Sequence, residues 1–220
     1  MKKLFSIAIS LLLTTSFSFT MCNKETHDAN FFFKQGMDKI MPMKLSRDFQ
    51  GATVDFDKAI ELNPKFAEAF NKRGYAKIQL NDHQGAILDF DKALDYGLTT
   101  EKAETYYYRG IAKNILKDYR SAIDDFSKSI NLKQNAPLGN ASSYYNRGYA
   151  KIKLKDYHGA LRDFDNALNS GIPSEQDKTY YFRGLAKLQL SKHESGCKDL
   201  IKADELGYTE AYDAIKKHCK

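Results

Sequence analysis

The sequence predicts an all-α fold: a right-handed solenoid of antiparallel helix pairs, five repeats long and closed by a C-terminal capping helix. Three observations predict it. A glycine-centred motif recurs as FNKRGYAKIQLNDH from Phe70, YYYRGIAKNILKDY from Tyr106, YYNRGYAKIKLKDY from Tyr144 and YYFRGLAKLQLSKH from Tyr180. Gly74, Gly110, Gly148 and Gly184 are spaced by 36, 38 and 36 residues, a period that marks a repeat architecture. Each copy is followed by a second pattern: GAILDFDKAL from Gly85, SAIDDFSKSI from Ser121, GALRDFDNAL from Gly159 and GCKDLIKADEL from Gly196. Both halves place their marker residues at helical spacing, Tyr144, Gly148 and Lys151 in one and Ala160, Phe164 and Ala167 in the other.

The chain opens differently. Lys2 and Lys3 precede the apolar run LFSIAISLLL from Leu4 to Leu13, and small or hydroxylated residues mixed with Phe17 and Phe19 follow. That is the three-part pattern of a secretory signal peptide, predicted over residues 1–21 and removed on export. The run is too short for a membrane span of about 20 residues. Export leads to a periplasmic or secreted location. Cys22 stands where a lipoprotein would carry its acylated cysteine, which keeps an outer-membrane-anchored lipoprotein as the alternative. Met21 before it is large where that signal wants a small residue, so ordinary secretion is preferred. Residues 22–30 read as a flexible N-terminal segment.

Five repeats follow over residues 31–205. The first pairs FFFKQGMDKI from Phe31, carrying Gly36, with GATVDFDKAI from Gly51, and an insertion around Met41-Pro42-Met43 separates the two. Within each pair, glycine and alanine let two antiparallel helices approach, while Tyr144 and Phe164 are expected to fill the space between them. Tyr106 and Tyr180 take the same core place as Tyr144. One such pair cannot bury its apolar surface alone, so neighbours must stack. Residues 206–220 are expected to form the capping helix, with Gly207 ending the previous helix and Thr209 starting the last.

On these residues the chain resembles the tetratricopeptide repeat family, whose large residue, glycine, alanine, aromatic and alanine fall at matching positions. The resemblance covers about residues 31–205. The family's period is 34 residues; here the additions lie between one repeat's second helix and the next repeat's first, in DYGLTTEKAET, NLKQNAPLGNASS and NSGIPSEQDKT. Sel1-like repeats place extra residues inside the pair and rank second. The resemblance implies a concave groove that holds a protein or peptide partner. By helical geometry the face next to the packed one holds Asn71 and Tyr75, Tyr107 and Ile111, Tyr145 and Tyr149, and Tyr181 and Leu185. This tyrosine row is the expected partner-binding groove, since tyrosine offers apolar area with a hydroxyl. Packing against the adjacent repeat is the other reading of the same residues.

Arg73, Arg109, Arg147 and Arg183 precede the glycines, and Asp89, Asp125, Asp163 and Asp199 follow sixteen residues later. A buried guanidinium needs an acidic partner, so recurrence in every copy reads as a structural pair. Lys113, Lys151 and Lys187 read as solvated rims. The groove near Glu68 and Glu104 is not uniformly basic, and no carboxylate-clamp pattern is visible.

Cys197 and Cys219 lie at similar distances on either side of the turn Leu206-Gly207-Tyr208-Thr209. Two antiparallel helices joined there would set the sulfurs side by side, so an exported protein is expected to bond them and pin the cap.

The totals bound the remaining classes. Lys+Arg 34 against Asp+Glu 28 gives +6, or +4 once Lys2 and Lys3 leave, with acids and bases alternating. A nucleic-acid-binding repeat module, tyrosines stacking and lysines on phosphates, is therefore an alternative and not the first reading. His27, His83, His158, His193 and His218 show no metal-ligand spacing, Ser195-Gly196 lacks the nucleophile elbow, and no phosphate loop is present. No enzyme, metal or cofactor is expected. The function read from sequence is an exported protein–protein interaction scaffold.

Overall fold

Each glycine-centred copy forms one helix and each second pattern the next, in a strict alternation. The structure, a computed structural model, describes residues 28–41, 46–133, 140–170 and 175–219. The signal peptide of residues 1–21, Cys22 and most of the 41–43 insertion lie outside the described residues. Five helix pairs run in order: α1 (Ala29–Ile40) with α2 (Phe49–Leu62), α3 (Ala67–Gln79) with α4 (His83–Asp95), α5 (Lys102–Ile115) with α6 (Tyr119–Leu132), α7 (Ala141–Lys153) with α8 (Tyr157–Asn169), and α9 (Gln176–Gln189) with α10 (His193–Glu205). A short helix, α11 (Glu210–His218), follows. No strand occurs among the described residues.

The turn inside each pair has its own chemistry. Asp48, Asp82, Asp118 and Asp156 cap the second helices, accepting from the backbone N–H of Gly51, Gly85, Ser121 and Gly159. The three glycines allow 2.7, 2.9 and 2.9 Å, whereas Ser121 stands off at 3.3 Å. Before three of these caps, Asn81, Lys117 and Lys155 take the left-handed conformation that reverses the chain, as does Ser191 in the last pair. There the cap position is Lys192, which makes no side-chain bond.

Phe56, Phe90, Phe126 and Phe164 are wholly buried and form the centre of the first four pairs. Each ring lies on the glycine of its partner helix: a methyl placed on Gly148 would sit 2.8 Å from Phe164. In the last pair Leu200 replaces the ring, and Gly184 and Gly196 bring the two backbones together instead. Tyr106, Tyr144 and Tyr180 correct the sequence reading. They are half-buried, and each ring lies under an arginine of its own helix, with Arg109, Arg147 and Arg183 centred 5.3, 5.4 and 5.2 Å away. The phenylalanine already fills the gap between helices, so the tyrosine is left at its margin.

Beneath that margin sits a buried carboxylate in every pair. Arg73, Arg109, Arg147 and Arg183 each donate twice to Asp89, Asp125, Asp163 and Asp199, at 2.6–3.0 Å. Lys77, Lys113, Lys151 and Lys187 reach the same four carboxylates at 2.7–2.8 Å. The lysines are therefore half-buried partners and not the solvated rims expected of them, because one turn past the arginine aims them at the same oxygen. Gln35 stands at the arginine position of the first pair, and there Lys39 alone pairs with Asp55, at 2.7 Å. The arginines also span repeats: Arg73 reaches Asp57, Arg109 reaches Asp91 and Arg183 reaches Asp165, while Arg147 meets Ser127.

Second helices meet the next repeat's first helix, and consecutive first helices also approach one another, α1 to α3 and so on to α9. The array therefore curves with α1, α3, α5, α7 and α9 on its inner side. The added residues lie between repeats, where the sequence put them. In residues 96–101, Gly97 turns the chain with φ +82° and Leu98 is buried against Ala67, Phe70 and Ala93. At the far end α11 packs on α10, and a Cys197–Cys219 disulfide joins them with the Cα atoms 5.6 Å apart. Thr209 precedes α11, but its hydroxyl bonds Glu210 and not the backbone. No described helix is long and apolar enough to cross a membrane.

Candidate functional site

The inner helices carry the expected row, and packing sorts its members. Asn71 on α3 is 6% exposed; its amide donates to Glu101 at 2.9 Å and its oxygen accepts from Thr105 at 2.8 Å. It clamps one repeat to the next through both polar ends and also lines the cavity between α1, α3 and α5. Tyr107 packs on Phe126 and lies beside Ser142 and Asn146 of the next repeat. Tyr145 lies 6.2 Å from both Phe164 and Phe182. Both are half-buried, as the other tyrosines of the row are, and each lines a small hollow between repeats. Burial, with the carboxylate of Glu175 second, pushes Tyr107 up to about 12, and the same two causes raise Tyr145 well above the ordinary tyrosine value.

Tyr75, Tyr149 and Tyr181 remain half-buried on the inner side, as do Ile111 and Leu185. Two neighbours that the sequence reading passed over join them. Tyr108 lies 5.0 Å from Tyr75, and Phe182 lies 5.2 Å from Tyr149. Both occupy the position after the row, one step round the helix. The signal for them was the third aromatic in YYYRG and YYFRG, where other copies hold Lys72 and Asn146.

At the N-terminal end, three consecutive inner helices enclose a cavity of about 380 Å³. Met37, Ile40, Met41, Tyr75 and Tyr108 supply its apolar wall. Arg47, Lys72, Glu101 and Glu104 stand around it. Three of these charges are neutralised within the protein: Lys72 lies 2.7 Å from Glu101, and Lys133 pairs with Glu104. Burial acts to raise the Glu104 carboxyl, but Lys133 outweighs it and holds the group below its usual value. Tyr108 is raised, by burial first and then by Tyr75 and the two glutamates. The cavity can take an apolar side chain and offers its carboxylates and cations at the edge. Among the described residues no group of three or more His, Cys, Asp or Glu side chains is arranged to hold a metal ion.

Stacked antiparallel helix pairs with an aromatic inner face define a helical-repeat protein built to present a groove. Residues 67–96 and 141–170 match the tetratricopeptide repeat family model. The two matched segments are the stacked pairs α3–α4 and α7–α8. No curated protein matches in sequence. Among solved structures, YrrB, described as a tetratricopeptide-repeat protein with an unusual peptide-binding site, superposes with a TM-score of 0.72 at 20% identity, covering 88% of this chain and 94% of YrrB. MamA superposes at 0.65 and 24% identity over 75% of this chain and 92% of its own. PilF of Pseudomonas aeruginosa superposes at 0.69 and 15% identity over 86% and 82%. At these identities the likeness is one of fold.

Proposed function

We propose that the protein is an exported, non-catalytic scaffold that binds a partner protein, holding a peptide segment of it along the inner faces of α1, α3, α5, α7 and α9. The carrying observation is the cavity between α1, α3 and α5, whose methionine, isoleucine and tyrosine wall suits a buried apolar anchor. The peptide-binding site that YrrB's description gives it supports the same kind of partner on this fold. Export rests on the leader of residues 1–21, and the Cys197–Cys219 bond supports it, since such bonds persist outside the reducing cytosol. Ordinary cleavage is favoured over acylation at Cys22 because Met21 is bulky.

The test is a crosslinking pull-down from the cell envelope with the wild type and with Tyr75→Ala/Tyr108→Ala. Partners captured by the wild type should fall at least about tenfold with the double variant, the loss of one good anchor, while the helical signal is kept. Equal capture would place recognition elsewhere. The mass of the mature N-terminus reads the cleavage site and any lipid in the same preparation.

A further inference from the structure

The two ends of the groove share a construction and differ in charge. Glu101, just before α5, reaches back to the preceding repeat, where Lys72 and Asn71 hold it at 2.7 and 2.9 Å. Glu175 stands in the same place before α9, as far after Arg147 as Glu101 is after Arg73. The residue at Lys72's place there is Asn146, which brings no charge and donates its amide to the Ser142 carbonyl at 2.8 Å. Glu175 consequently forms no ion pair among the described residues. Neither does Asp177, in the first turn of α9, nor Glu210, in the first turn of α11. By contrast, every buried carboxylate of the repeat interiors has its cations.

These three carboxylates flank an aromatic cluster. Phe182 is 5.2 Å from Tyr149 and 5.1 Å from Tyr181, and Tyr181 is 4.8 Å from Tyr208. Asp177 lies one helical turn before Tyr181 on α9, Glu210 follows Tyr208 by two residues, and Glu175 lines the same small hollow as Tyr145. Consistently, Glu175 and Asp177 add to burial in raising Tyr145, and Glu210 and Asp177 in raising Tyr208. The cluster already receives one ammonium group, Lys153, 4.9 Å from the Tyr149 ring centroid. Lys178 on α9 is exposed and pairs with none of the three acids. Unpaired carboxylates beside aromatic faces attract a cation twice over, through charge and through the ring quadrupole.

We infer that the C-terminal half of the groove selects a basic partner segment, seating a lysine or arginine side chain against Tyr149, Phe182 and Tyr208 with Glu175 and Asp177 as its counter-ions. This rests on the reading of the inner face as a peptide groove. Phosphate backbones and anionic headgroups are repelled by the same three acids.

The experiment pans a display library of random 12-residue peptides against the full chain and measures the strongest binders by fluorescence polarisation. Binders should be enriched in lysine and arginine. Their affinity should fall about tenfold or more with Glu175→Gln/Asp177→Asn, as for loss of a charge-assisted contact. It should also fall with rising salt, and be unchanged by Glu61→Gln on α2. Asn146→Lys should weaken binding similarly, by restoring the internal pair that Lys72 makes with Glu101. That variant keeps every carboxylate and helix start in place, so it reads the charge even if the double variant proves unstable. Binders with no basic bias that ignore these substitutions but are lost with Tyr75→Ala/Tyr108→Ala would overturn the charge preference and leave the groove standing. If no peptide is retained, the groove reading and this inference fall together.

Discussion

At Asp163 three charges meet where water is largely excluded. The carboxylate is 2% exposed on its side chain, and it takes two bonds from Arg147 and one contact from Lys151. The recurring arginine and aspartate made this pair legible in the sequence. The lysine was not legible as its partner, because a lysine on a helix surface is usually solvated and only the backbone approach of α7 and α8 brings it within 2.7 Å. The tyrosines make a pH prediction at the same scale. Tyr107 has an ordinary value of 10.0 and is raised to about 12 by burial and then by Glu175. The unfolded chain therefore loses this proton near pH 10 while the folded chain holds it. The stability is fully present below pH 10 and is lost as the pH climbs toward 12, by up to roughly 2–3 kcal/mol for this residue. Tyr107→Phe should move the alkaline midpoint of helix loss upward, read by circular dichroism; a lowered midpoint would show that the hydroxyl's bonds to Ser142 and Asn146 matter more.

Within a helix pair, the contact that decides stability is ring on glycine. In α7 an alanine at position 148 would gain about 1 kcal/mol of helix propensity. Its methyl would stand 2.8 Å from a ring that is 0% exposed and has nowhere to move, and overpacking of that kind costs about 1–3 kcal/mol. Severe overlap puts the cost at the upper end, so Gly148→Ala should destabilise by about 2 kcal/mol in chemical denaturation; a more stable variant would show that α7 and α8 separate easily. The phenylalanines of this contact were readable from the repeat, as were the paired helices and the place of the added residues. The division between core and groove was less so. Helical angles place the arginine beside the aromatic of YYNRG, but not over it, and stacking under that guanidinium turns Tyr144 into an edge residue. One further step round the helix puts Tyr108 and Phe182 on the inner face, a shift set by how successive repeats lean on one another and not by either helix alone.

In a stacked array each unit is stabilised by its neighbours, and the ends have only one. The last pair has the poorest interior, a leucine in place of a ring and an uncapped second helix. The α11 helix, with Ala211 and Ala214 buried, covers it, and the disulfide closes a loop of 22 residues. Cys197→Ser/Cys219→Ser should lower stability by about 3 kcal/mol, and hydrogen exchange should show the loss concentrated in α9, α10 and α11. Even protection across all repeats would mean that the array unfolds as a single unit.

The joints between repeats differ in one more respect. Three of the arginines bridge to an aspartate of the preceding repeat, and those aspartates are about half exposed, at 52%, 45% and 54%. Arg147 meets the hydroxyl of Ser127 instead, and the same joint holds Ser129 to Ser143 and Asn114 to the Asn146 carbonyl, all neutral acceptors. Mobile ions weaken the three charged joints by up to about 1 kcal/mol each and leave the fourth nearly untouched. In concentrated salt the middle of the array, between α6 and α7, becomes its least altered seam, and the change in ionic strength is felt on either side of it.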